Sequence, residues 1–119
     1  MKKIILLLVM VMFITACSNE TKAKVQKIDC INKNVLMGEG AVLIDVRSSL
    51  EYESGNLKNS INIDVDAIEN VIESKVSDKN TKIILYCRSG NRSNTAANKL
   101  IDMGYKNVYD LGAMSNCSN

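Results

Sequence analysis

The sequence has no histidine and no proline among its 119 residues, and it has only four cysteines. The absence of histidine excludes catalysis by a cysteine-histidine pair and removes a common metal ligand. The cysteines lie at positions 17, 30, 87 and 117, a spacing that matches no zinc pattern. We therefore expect no metal site and no cofactor, whereas the absence of proline excludes no fold class.

The sequence also lacks an excess of charge of either sign. It has 15 basic and 13 acidic residues, and the numbers become equal when Lys2 and Lys3 are left out as part of a targeting segment. This balance argues against a basic surface that would bind nucleic acid. The length and the apolar content suit one small domain with a modest core, which we expect to be a monomer.

The first residues have the pattern of a targeting segment. Lys2 and Lys3 precede an apolar run from Ile4 to Ile14, which is too short to span a bilayer as a helix. The residues Ile14-Thr15-Ala16-Cys17 resemble a bacterial lipobox, which implies cleavage before Cys17 and lipidation of its sulfur. An ordinary secretory signal, with Cys17 incidental, is the alternative.

The lipobox resemblance divides the chain into three parts. Residues 1–16 are expected to be a lipoprotein signal peptide, residues 17–24 a lipidated tether and residues 25–117 the folded domain. Several acyl chains on one cysteine would hold the protein at a membrane surface. We therefore expect a membrane-anchored lipoprotein on the extracytoplasmic face of a bacterial cell membrane, or in the periplasm.

In the domain, apolar runs alternate with helical patterns. Residues 41–47 and 82–86 are apolar on both faces, as in buried parallel strands. Shorter strands are predicted at residues 24–28, 61–63 and 107–111. The alternation predicts an α/β fold: a small, mainly parallel sheet with helices on both faces. We expect the strand over residues 41–47 near the centre of this sheet.

Four helices are predicted between these strands from their capping residues and apolar spacing. The first covers residues 30–37 between Asp29 and Gly38, and the second follows Ser48, which forms a capping box with Glu51. The third begins at Asp64 or Asp66, and the fourth covers residues 94–103 and ends at Gly104.

The candidate functional site lies where the second buried strand ends. Cys87 is followed by Arg88, Ser89, Gly90, Asn91, Arg92 and Ser93. Ligands of parallel sheets bind at the carboxyl ends of strands. A tight turn before a helix points amide N–H groups inward, and these amides and the two arginines lower the pKa of a thiol, which is ordinarily about 8.5. The pattern therefore predicts a thiolate in an anion-binding cup, although an isolated cysteine at a strand end is more often inert.

The loop and its context resemble the single-domain rhodaneses, which are sulfurtransferases. The resemblance extends from about Ala41 to Ser115 and is carried by these segments: Leu43-Ile44-Asp45-Val46-Arg47, Glu51-Tyr52-Glu53-Ser54-Gly55-Asn56-Leu57, Ser60-Ile61-Asn62-Ile63, Cys87-Arg88-Ser89-Gly90-Asn91-Arg92-Ser93 and Gly104-Tyr105-Lys106-Asn107-Val108-Tyr109-Asp110-Leu111-Gly112. It implies a rhodanese-like fold and a persulfide on Cys87. It also implies that residues 88–92 form the cradle of this persulfide, with Arg88 and Arg92 as anion contacts. Asp45 and Arg47 are expected to form a structural ion pair.

The resemblance implies that sulfane sulfur passes from thiosulfate, or a related small anionic donor, through Cys87 to cyanide or a thiol. A cysteine-dependent phosphatase or arsenate reductase is a weaker alternative. Cysteine-dependent phosphatases resemble one another in having five residues between the cysteine and the arginine of the loop, whereas four residues lie between Cys87 and Arg92. A non-catalytic module for persulfide binding, partner docking or thiol redox chemistry is a further alternative.

The other two cysteines of the domain have several interpretations. Cys30 is expected to pack inside the first helix as a small apolar side chain. Cys117 stands where the family often has a tryptophan, and a disordered tail is the simplest reading. It is alternatively a resolving thiol that attacks an oxidised or persulfidated Cys87, or a partner of Cys30 in a disulfide.

Overall fold

The structure is a computed structural model that describes residues 22–117. The predicted signal peptide, the lipidation site at Cys17 and the tether as far as residue 21 lie outside the described residues. Within residues 22–117, no helix is both long enough and apolar enough to cross a membrane. In this part of the chain, no cluster of three or more cysteine, aspartate or glutamate side chains has a geometry that could hold a metal ion.

The centre of the domain is a five-stranded sheet in which every neighbouring pair of strands is parallel. Its strands are β1 (Gln26–Lys27), β2 (Val42–Asp45), β3 (Ser60–Asn62), β4 (Lys82–Cys87) and β5 (Asn107–Ala113). They lie in the order β1-β5-β4-β2-β3, which confirms the predicted α/β fold. The prediction that residues 41–47 lie near the centre is confirmed, because β2 lies directly beside the central strand β4.

Four helices connect the strands: α1 (Cys30–Gly38), α2 (Ser49–Glu53), α3 (Ile68–Lys75) and α4 (Asn91–Asp102). The Asp29 carboxylate accepts the N–H of Asn32, and the capping box of Ser48 and Glu51 is present, so both cap predictions are confirmed. The predicted start of α3 at Asp64 or Asp66 was wrong: the Asp64 carboxylate accepts the N–H of Asp66 in a turn, and the helix begins later.

The strand β4 sends alternate side chains to opposite faces of the sheet, as a pleated strand must. Ile83, Leu85 and Cys87 join a large buried cluster with residues of α3 and α4. Ile84 and Tyr86 join a smaller cluster on the other face, against which α1 packs. Helices therefore cover both faces, and β4 was correctly predicted as apolar on both sides.

The chain continues past β5 into a short 3-10 helix over Met114–Cys117, and this segment is attached to α1 by a disulfide between Cys117 and Cys30. Two predictions are thereby corrected: Cys30 does not pack as a free apolar side chain, and Cys117 is not in a disordered tail. The disulfide with Cys30 was one of the alternatives, and while it is intact Cys117 has no free thiol with which to resolve Cys87. Two residues 87 positions apart meet because α1 packs on the same face of the sheet as the 3-10 helix.

Candidate active site

The active-site loop begins at Cys87, the last residue of the central strand, and ends where α4 begins at Asn91. Cys87 is fully buried and is the free cysteine among residues 22–117. Gly90 has a φ of 99°, a left-handed conformation that glycine adopts without strain, and its N–H donates to Cys87 Sγ at 3.0 Å. The helix starts three residues earlier than predicted, so that the first turn of α4 lies directly behind the sulfur.

The pKa of the Cys87 thiol is shifted by opposing effects. Burial raises the pKa, because it penalises the thiolate. Hydrogen bonds from the amide and hydroxyl of Ser93 and from the amides of Gly90 and Ser89 lower it, and their combined effect exceeds that of burial. The Ser93 hydroxyl also donates to the Gly90 carbonyl oxygen at 3.0 Å. The predicted reactive thiolate therefore has the electrostatic support that it requires.

Arg92 faces a carboxylate that the sequence analysis did not assign to the site. Its guanidinium donates to both carboxylate oxygens of Glu51, at 2.7 and 3.0 Å. This contact lowers the pKa of Glu51 to about 2 and raises that of Arg92. The charge of Arg92 is thus largely compensated, and the residue fixes the loop against α2 more than it offers a free cation to an anionic substrate.

Arg88 contrasts with Arg92. It is exposed, and no hydrogen bond or ion pair within residues 22–117 engages its side chain. It lies at the edge of a groove of about 560 Å³ that is also lined by Leu57, Met114 and Cys117. Of the two arginines that were predicted to contact an anion, Arg88 is therefore the one whose charge is not engaged within residues 22–117.

Asp45 and Arg47 form the predicted ion pair at the end of β2. Both residues are buried, and the Arg47 Nη2 lies 2.7 Å from Asp45 Oδ2. Asp45 also accepts the N–H of Arg47 at 2.9 Å, and the guanidinium donates to the Gly55 carbonyl at 2.6 Å. With its donors directed at these acceptors, Arg47 holds the turn after α2 in place, which supports a structural role.

Comparison with known proteins places this arrangement in a family. The sequence profile of the rhodanese-like domain matches residues 31–116, which include the whole sheet except β1. The chain belongs to the rhodanese-like family. The structure agrees, because four of the five strands, β2 to β5, and the cysteine loop lie within the matched range.

Two relatives of this rhodanese-like chain are thiosulfate sulfurtransferases by name. The putative mitochondrial thiosulfate sulfurtransferase of Schizosaccharomyces pombe is 32% identical over 107 residues, covering 79% of this chain and 74% of that protein. The thiosulfate sulfurtransferase GlpE of Pseudomonas syringae pv. syringae is 34% identical over 76 residues, covering 64% of this chain and 70% of that protein. Other curated relatives are much longer, and the chain spans about a fifth of their length.

The fold of a solved rhodanese agrees with this assignment. A structure described as a rhodanese with anions from E. coli superposes with a TM-score of 0.63 at 31% identity. The match covers 66% of this chain and 92% of that one. This likeness extends the family assignment from the sequence to the arrangement of strands and helices.

One feature of this rhodanese-like site was missed from the sequence. Glu51 was recognised as part of a capping box, but its contact with Arg92, 41 positions away, follows only from the adjacency of β2 and β4. Of the other loop residues, Ser93 and the amide of Ser89 contribute to the thiol site, and Ser89 and Asn91 also line a second, polar cleft.

Proposed function

We propose that this protein is a rhodanese-type sulfurtransferase that carries sulfane sulfur as a persulfide on Cys87. The observation that carries the proposal is the short contact from the Gly90 N–H to Cys87 Sγ, together with the lowered pKa of that thiol. Amides that stabilise a thiolate stabilise the terminal charge of a persulfide in the same way. The donor is thiosulfate or a related small anion, and the acceptor is cyanide or a thiol.

In the first half-reaction, the Cys87 thiolate attacks the outer sulfur of the donor. A bond forms between Sγ and this sulfur while the sulfur–sulfur bond of thiosulfate breaks, and sulfite leaves with the electron pair. Arg88 offers the charge that attracts the anion, because Arg92 and Arg47 are engaged by Glu51 and Asp45. No proton transfer is required, since both the nucleophile and the leaving group are anions.

In the second half-reaction, an acceptor anion attacks the outer sulfur of the persulfide. The bond between this sulfur and Cys87 breaks, and Cys87 leaves as the thiolate with which the cycle began. The hydrogen bonds from Gly90, Ser89 and Ser93 support this leaving group. The two steps move one sulfur atom without a net oxidant or reductant.

We further propose that the protein acts as a monomeric lipoprotein attached to the membrane through Cys17, on the extracytoplasmic side. The Cys30–Cys117 disulfide supports this location, because structural disulfides persist mainly in oxidising compartments. A Cys17→Ala variant should lose its fractionation with membranes, and a variant that stays with the membrane fraction would rule out the lipid anchor.

The proposed chemistry is tested by exposing the purified protein to thiosulfate and measuring its mass. We expect one added sulfur that maps to Cys87 and is removed by cyanide as thiocyanate, and we expect neither result for Cys87→Ser. Because Cys87→Ser keeps a side chain of similar size, the unfolding midpoint should change little and serves as the control. Hydrolysis of p-nitrophenyl phosphate without any persulfide would favour the phosphatase alternative instead.

A further inference from the structure

The groove beside Arg88 is larger than the inorganic substrates of the proposed reaction require. Its volume of about 560 Å³ corresponds to roughly eighteen water molecules, at about 30 Å³ each. Volumes in this range are typical of sites for organic ligands. The groove borders the active-site loop, because Arg88 directly follows Cys87 and Glu51, another lining residue, holds Arg92.

One side of the groove is an apolar wall that is held firmly in place. Leu57 and Met114 contribute side chains to it, and the Cys117 sulfur continues it. Leu57 is anchored through its N–H, which donates to the Tyr86 hydroxyl at 3.0 Å. The segment that carries Met114 is attached to α1 by the Cys30–Cys117 disulfide. A preformed apolar wall favours a ligand with a carbon skeleton.

The charges of the groove define the other requirement for a ligand. Two charged residues other than Arg88 line the groove, and each of them has a partner: Arg47 is bound to Asp45, and Glu51 to Arg92. Among the residues that line the groove, Arg88 is the cation that has no ion pair within residues 22–117. The groove therefore has one uncompensated positive charge, which a ligand with one negative group would neutralise.

We propose that this groove binds the sulfur acceptor and that the acceptor is a small organic thiol with one carboxylate. This inference rests on the proposed function and names the acceptor class for that site. The carboxylate contacts Arg88, and the carbon chain lies against Leu57 and Met114. Cys87 itself is buried, and the outer sulfur of its persulfide would extend about 2 Å from Sγ, the length of one sulfur–sulfur bond.

The transfer step balances without any other reactant. The acceptor thiolate attacks the outer sulfur of the persulfide, and a new sulfur–sulfur bond forms. The bond from that sulfur to Cys87 breaks, and Cys87 departs as the thiolate. The product is the persulfide of the organic acid, and the enzyme returns to its starting state.

The experiment compares three thiols of similar size that differ in charge: 3-mercaptopropionate, 2-mercaptoethanol and 2-mercaptoethylamine. The protein is loaded with sulfur from thiosulfate, freed of donor, and mixed with each thiol in a single turnover. Loss of sulfur from Cys87 is followed by mass spectrometry, with rates expressed per thiolate and with the Cys30–Cys117 disulfide checked in the same spectra. We expect 3-mercaptopropionate to react about tenfold faster than 2-mercaptoethylamine, with 2-mercaptoethanol between them.

Arg88→Gln should reduce this preference to about twofold or less. Lys106→Gln is the matched control: it removes the same charge from an exposed residue at the amino end of β5, far from the loop, and should keep the preference. Equal rates for the three thiols, or a preference that survives in Arg88→Gln, would overturn the proposal.

A binding measurement separates this proposal from the proposed function. The thioether 3-(methylthio)propionate cannot accept sulfur, but we expect it to shift the NMR signal of the Arg88 Nε–H in the wild type. If Cys87 forms a persulfide and yields thiocyanate while this shift and the charge preference are absent, the acceptor proposal is wrong and the sulfurtransferase stands. If no persulfide forms but the shift is present, the groove binds the acid and the transfer function is wrong.

Discussion

The two faces of the sheet are stabilised in different ways. The face covered by α3 and α4 contains a cluster of sixteen buried residues, whereas the face covered by α1 contains a cluster of five. The first is a conventional apolar core, whose stability comes from removing apolar surface from water. The second is too small to depend on this effect alone.

The smaller face is supported by directional contacts. The buried Tyr86 hydroxyl accepts the N–H of Leu57 and shares a hydrogen bond with Ser60, both at 3.0 Å. The Cys30–Cys117 disulfide then joins α1 to the end of the chain on this face. The groove lies on this face because hydrogen bonds and a disulfide fix its wall at a few positions and do not fill the space beside that wall.

The largest stability effect is expected from removal of the disulfide on the smaller face. The double variant Cys30→Ser/Cys117→Ser opens a loop with a sequence separation of 87, which costs about 4 to 5 kcal/mol of unfolding free energy by chain entropy. Urea unfolding measures this change, and reduced wild type should match the double variant. An unchanged midpoint would show that the smaller face does not need its covalent contact.

A core truncation on the larger face should have the next largest effect. Leu100 is fully buried in α4, and Leu100→Ala should lower the unfolding free energy by about 3 kcal/mol through lost apolar contacts and a cavity. Leu57→Ala is the counterpart on the smaller face. Because Leu57 is partly exposed to the groove, its loss should cost about 1 kcal/mol in the same urea experiment. Equal costs would remove the distinction between the two faces.

The smallest expected effect is a change in the pKa of Cys87. This residue packs on the apolar face, yet the pKa of its thiol is lowered. Ser93→Ala removes a hydrogen bond to the sulfur, so the pKa should rise and the pH midpoint of Cys87 alkylation by iodoacetamide should move upward. Thr95→Ala is a matched control, because its hydroxyl donates to a carbonyl of the same helix at 3.2 Å. A midpoint that moves equally in both variants would exclude a specific role for Ser93.

Much of the fold was predictable because local patterns and tertiary structure agree. The alternation of apolar strands with helical patterns specified a parallel sheet, and the apolar character of β4 on both faces identified a buried strand. The start of α3 was mispredicted because Asp64 offers a cap, but its carboxylate satisfies a turn instead. The sequence shows that an aspartate can accept a hydrogen bond from a nearby amide. It does not show whether that amide belongs to a turn or to the first turn of a helix.

The residues of the candidate site could be predicted from the sequence, but which of its charged side chains are paired with each other could not. Cys87, Gly90 and Ser93 act together because they are neighbours along one strand-loop-helix segment. Arg92 was predicted as an anion contact, but its partner Glu51 comes from a different element, the helix α2. The charge that an arginine offers to a ligand depends on which carboxylates the fold brings near it.

The sequence by itself determined the order of strands and helices, the position of the nucleophilic cysteine and the amides around it, since all of these depend on residues close together along the chain. Only the tertiary structure decided that Arg92 is engaged by Glu51, that Arg88 has no such partner among residues 22–117, and that Cys30 is joined to Cys117. The physical reason is that these contacts link residues 41 and 87 positions apart. Their distances are set by the strand order and by the packing of α1, which no local pattern records.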